Sequence, residues 1–119
     1  MRPASALFRS LSLVVLAACG GDLTQETFPT EVAPVICQQT RTCALGYYES
    51  EYRDEDDCIS QIEEQYSAEG TENDAAGCVF DLEEAEACVE ALKGATCEEW
   101  FEGDALEDCA DVWTCASEV

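Results

Sequence analysis

Eight cysteines fall between positions 37 and 115 of a 119-residue chain that contains no histidine. No other feature narrows the fold as much, because cysteines at this density form either a disulfide framework or a metal-binding one. The spacing decides between the two. Cys37, Cys43, Cys58, Cys78, Cys88, Cys97, Cys109 and Cys115 include no pair at the two-residue gap that zinc sites use, and imidazole ligands are absent. The sequence therefore predicts four disulfides, with no metal ligands and no cofactor.

The ninth cysteine belongs to a different part of the chain. Met1-Arg2, Arg9 and the apolar run from Leu11 to Ala18, broken only by Ser12, have the charged, apolar and small-residue order of an export signal. The run is shorter than the roughly 20 apolar residues that a bilayer span needs. Leu16-Ala17-Ala18-Cys19 resembles a bacterial lipobox, in which small residues precede a cysteine that receives diacylglycerol before cleavage. That resemblance implies a signal peptide over residues 1–18, a lipidated Cys19 as the first mature residue and a membrane anchor made of lipid. The residue after Cys19 is Gly20, not the aspartate that retains such proteins in the inner membrane, so the expected location is the outer membrane. Residues 19–30 carry no helical or strand period and are expected to be a flexible tether. Residues 31–119 are expected to be one folded domain.

Cleavage would remove two of the five basic residues and none of the 27 acidic ones. Arg41, Arg53 and Lys93 would remain, giving the mature chain a formal charge of −24. Such a balance excludes nucleic acid and anionic lipid surfaces as partners and points, if to any protein, to a basic one. Disorder is the usual companion of high acidity, but Trp100, Phe101, Trp113, Phe80 and Tyr66, with the cysteines, argue for a packed core.

Caps and periodicity predict four helices. The first runs from about Thr30, as N-cap, to Cys43, with Pro34 in its first turn. The second, Asp54 to Ala68, places Cys58, Ile59, Ile62 and Tyr66 on one stripe and stops before Gly70. The third follows the Asp81 to Glu84 capping signature and carries Leu82, Ala85, Cys88, Val89 and Leu92 at helical spacing. The fourth opens at Asp104, ends near Cys115 and turns Leu106, Cys109, Val112 and Trp113 inward. Thr96 to Glu99 caps a single turn carrying Trp100-Phe101, and strand signals are nearly absent. The expected fold is all-α, a small disulfide-rich bundle.

Within such helices, residues six apart lie about 9 Å apart along the axis, beyond the ~7 Å limit between bridged Cα atoms. That excludes Cys37 with Cys43 and Cys109 with Cys115. Antiparallel hairpin registers then favour Cys43 with Cys58, Cys88 with Cys115 and Cys97 with Cys109, leaving Cys37 with Cys78.

Catalytic residues are not evident. Histidine, the usual base for a nucleophile, does not occur, no Gly-rich phosphate loop is present, and carboxylate pairs arise by chance among so many acids. The twelve residues from Glu72 to Glu83 have the EF-hand glycine, Gly77, at the sixth place and Asp74 at the third, but Glu72 at the first and Ala76 at the fifth. A surface loop leading to the Asp81 cap is the simpler reading. The run from Glu49 to Asp57 is read as a solvated helix start, with a patch for a basic partner as the competing reading. Tyr47-Tyr48, Tyr52 and Trp100-Phe101 are either contact residues or lids on a small core.

The lipobox, Val35-Ile36-Cys37 with Cys43 and Cys58, and Gly77-Cys78-Val79-Phe80-Asp81 leading to Ala87-Cys88-Val89-Glu90-Ala91-Leu92 and Thr96-Cys97 resemble the small cysteine-rich lipoproteins of myxobacterial type. Those proteins have no assigned activity, so the resemblance implies a fold type and a location. The functional expectation is a cell-envelope lipoprotein that is not an enzyme, a binding or structural module with an acidic surface. A divalent-cation-binding module and an inhibitor of a basic envelope hydrolase are the alternatives.

Overall fold

Reciprocal threonine bonds open the folded part. Thr24 N donates to Thr27 Oγ1 at 2.8 Å, Thr27 N donates to Thr24 Oγ1 at 3.1 Å, and the chain enters α1 (Phe28–Cys43). The computed structural model describes residues 23–116, so Cys19, the segment 1–18 and the first part of the expected tether lie outside the described residues. The remainder of that tether is folded. Phe28 and Pro29 are buried in the first turn of α1, and the folded part therefore begins before Thr30. The physical reason is tertiary: the Phe28 ring meets Tyr66 and Phe80 edge-on, with centroids at 6.0 and 5.8 Å. Pro29 takes the first-turn place expected for Pro34, which instead lies inside the helix.

α1 is followed by a short α2 (Leu45–Glu51) and a long α3 (Glu55–Ala75). The Asp54 side chain accepts from Asp57 N at 2.8 Å and starts α3 where the acid run favours a helix N-terminus. The helix does not stop before Gly70; it continues to Ala75 and ends ahead of Gly77, whose φ of +85° suits glycine. Gly70 sits beside the Trp113 ring, and a Cβ built there would lie 3.6 Å from Trp113 Cζ2. Packing of α3 on neighbouring elements outweighs the roughly 1 kcal/mol helix penalty of one glycine.

α4 (Leu82–Gly94) starts at Asp81, whose side chain accepts from Glu84 N at 3.1 Å. α5 (Cys97–Glu102) has the full capping box, with Thr96 Oγ1 accepting from Glu99 N and Glu99 Oε1 accepting from Thr96 N. The expected fourth helix is only α6 (Asp104–Glu107). Beyond it the chain turns and forms β2 (Trp113–Thr114), antiparallel to β1 (Val79–Phe80), with Val79 opposite Thr114 and Phe80 opposite Trp113. Val112, Trp113 and Thr114 are poor helix formers, and the ladder satisfies their backbone instead. Leu106, expected inside, is 54% exposed.

α1 is the hub. Its neighbours include α2, α3, α4 and α5, and two apolar clusters form along it. One holds Phe28, Val32, Ala85, Cys88, Val89, Leu92, Ala105 and Val112; the other holds Ala33, Cys37, Tyr48, Cys58 and Ile62. Gln39 on α1 donates through Nε2 to Leu92 O at 2.6 Å and to Ala95 O at 3.1 Å, satisfying carbonyls at the C-terminus of α4.

Four disulfides close the body, in a pattern that differs at every pair from the expected one. Cys37 is bonded to Cys58, not Cys78; Cys43 to Cys97, not Cys58; Cys78 to Cys115; and Cys88 to Cys109. The expected Cys88 with Cys115 and Cys97 with Cys109 are therefore also replaced. The hairpin of the first two long helices is present, but α2 occupies the connection and shifts the register, so Cys58 meets Cys37 deep in the bundle. Cys43 is then free to reach the start of α5. Cys78 and Cys115 continue the β1–β2 register by one position, which places their Cα atoms 4.1 Å apart.

Candidate functional site

With eight cysteines bonded, the chemistry left among the described residues lies in carboxylates, aromatics and three cations, Arg41, Arg53 and Lys93. No acidic side chain among the described residues is buried; Thr40 is the buried polar residue, and its hydroxyl donates to Ile36 O at 2.7 Å. The acids thus lie on the solvated surface of the described part.

The Glu49 to Asp57 run folds into the end of α2 and the start of α3. Within it Asp57 accepts from Arg53 N at 3.0 Å, from the Arg53 guanidinium at 3.3 Å and from Gln61 Nε2 at 3.2 Å. The Arg53 backbone bond is the largest influence; desolvation, the next, opposes it, and the bonds from the Arg53 guanidinium and Gln61 help to hold the Asp57 carboxyl below its ordinary range. This is helix-start architecture. Next to it lies an open depression bordered by Arg41, Arg53, Tyr48 and Tyr52, with Glu49 and Glu55 on the same rim. Its charges of both signs give it no strong preference for an ion.

The aromatic pairs divide. Tyr48 is buried and meets the Tyr52 ring at a tilt of 57°, with centroids 5.6 Å apart, and Trp100 packs against the larger cluster. Tyr47 and Phe101 are exposed. The EF-hand-like stretch is not assembled as a calcium loop. Glu72 and Asp74 end α3, Cys78 is bonded to Cys115, and Asp81 is occupied in capping α4. Among the described residues no three His, Cys, Asp or Glu side chains converge as metal ligands would.

A second concavity stands apart from these. It is a cleft of about 220 Å³ between the N-terminal turn with the start of α1 and the last three turns of α3. Phe28, Tyr66 and Trp113 wall it, and Glu26, Glu69 and Asp74 stand around it. Sequence reasoning placed Tyr66 on the inner stripe of α3 but missed the cleft, because the cleft depends on Trp113 returning in β2 to lie over Gly70. Burial first, and then the neighbouring Glu69 carboxylate, push the Tyr66 phenol above its ordinary pKa.

No helix among the described residues is long and apolar enough to cross a membrane. No family model, curated protein or solved structure matches this chain.

Proposed function

We propose that this chain is a cell-envelope lipoprotein, joined to the outer membrane through acyl chains on Cys19, whose disulfide-bonded helical body acts without catalysis and offers an acidic surface to a basic protein partner. The observation that carries the reading is the combination of four disulfides with a surface of unburied carboxylates. Bridges suit an oxidising compartment, and they stabilise a compact body against the repulsion of its own charge. The charge then favours fast, salt-sensitive association with a positive surface.

The test has two arms. Cys19→Ser should move the protein from the membrane fraction to the soluble one. Mild cross-linking in intact envelopes should capture a basic protein whose complex dissociates as salt is raised. Retention of the Cys19→Ser protein in the membrane would contradict the anchor, and a salt-insensitive complex would contradict the acidic surface as the contact.

A further inference from the structure

The cleft beside Tyr66 combines aromatic walls with negative charge that no described residue neutralises. Arg41, Arg53 and Lys93 do not line it. Glu26, Glu69 and Asp74 make no side-chain hydrogen bond or ion pair among the described residues, whose two ion pairs are Arg53 with Asp57 and Lys93 with Glu90. The Tyr66 hydroxyl likewise bonds to no described residue, and both Tyr66 and Trp113 are only half-buried, so parts of the rings face the opening. Phe28, buried in the core, meets the Tyr66 ring by an edge contact. Phe80 does the same for Trp113, with centroids at 5.3 Å.

Each feature selects against a class of ligand. Three uncompensated carboxylates repel anions. They do not converge as metal ligands, and ring walls cannot replace the water around a hard divalent ion. A cation carried on an apolar stem or body is attracted both by the aromatic rings and by the carboxylates around the opening, and its apolar part packs against the walls.

We propose that this cleft binds an alkylammonium group, held between Tyr66 and Trp113 and neutralised by Glu69 with Glu26 and Asp74. The group is either a free organic ammonium ion or the end of a lysine side chain. The proposal rests on the reading of the domain as an acidic binding module and names the chemistry by which it takes hold of a partner.

The disulfide-intact chain carrying Trp100→Phe, which leaves Trp113 as the sole indole, is titrated with tetramethylammonium, with Nα-acetyl-lysine amide and with tert-butanol as a neutral body of similar size. Saturable change in Trp113 fluorescence is expected with both cations, at least about tenfold tighter than with the alcohol. Tighter binding of the lysine amide assigns the site to a partner's side chain, and tighter binding of the quaternary ion to a free ammonium compound. Glu69→Gln, an exposed change that leaves the fold intact, should weaken both cations about threefold to tenfold, and Tyr66→Leu should abolish the response. If Tyr66→Leu proves unstable, Tyr66→Phe keeps the ring and should retain binding. Equal response to the alcohol, no saturation, or indifference to Glu69→Gln would overturn the proposal. Loss of probe binding alongside an intact, salt-sensitive protein complex would overturn the cleft alone and leave the acidic surface standing.

Discussion

Asp57 shows how single residues here serve the fold before anything else. Its carboxyl is held low by three donors, so its contribution to stability is fully present above the ordinary aspartate pKa and is lost as pH falls through the lowered value. Carbon-detected NMR should find Asp57 titrating below the ordinary aspartate value, and Asp57→Asn should flatten the acid limb of the stability curve. In the core, Leu92 is fully buried where α4 meets α1, and Leu92→Ala should cost about 2–5 kcal/mol in denaturant melts, because bridges on both sides limit collapse around the void. The inward positions of such residues were legible from spacing alone: Ala85, Cys88, Val89 and Leu92 recur at helical intervals and all are buried. Leu106 was not. It obeyed the same spacing, but the helix that would have turned it inward ends one residue later.

At the scale of elements, some signals that work within a few residues held and others did not: Thr30, expected as an N-cap, lies inside α1, and α6 starts at Asp104 without a side-chain cap. The Asp81 and Thr96 caps stand where the sequence places them, because each needs only an oxygen three residues before a free N–H. The end of α3 was misplaced because Gly70 reads as a stop, whereas its helical conformation is supported by contact with Trp113, 43 positions away. Gly70→Ala tests this account. The added Cβ would meet Trp113 at an ordinary contact distance, so the helix preference should dominate and stability should rise by about 0.5–1 kcal/mol, read from the urea midpoint. Loss of stability would mean that the Trp113 contact is tighter than the structure indicates. The two-residue strands carry too little pattern to be seen in sequence, yet they position Cys78 against Cys115 and bring Trp113 to the cleft.

For the whole molecule, the number of disulfides was legible and their pairing was not. Eight cysteines between Cys37 and Cys115, without metal-site spacing, are enough for four bridges. Pairing depends on register, and one extra helix, α2, shifted α1 against α3 enough to exchange partners across the domain. The bridges span 21 to 54 positions, and each contributes about 3–4 kcal/mol if its effect is on the entropy of the unfolded chain. Against them stands the repulsion of an acidic surface that carries three cations among the described residues. Raising sodium chloride from about 0.01 M to about 0.5 M at neutral pH should therefore raise Tm by a few degrees, and a flat response would show that the carboxylates are too dispersed to matter.

Lipid at Cys19 and oxidation of the other eight cysteines are two halves of one claim, since the first makes the second an even number. Intact-mass analysis of the protein extracted from envelopes and alkylated without reduction measures both at once. The account predicts a chain that begins at Cys19, carries the mass of its acyl groups and takes up no alkylating agent. An N-terminus elsewhere, or any alkylated cysteine among the eight, would contradict it.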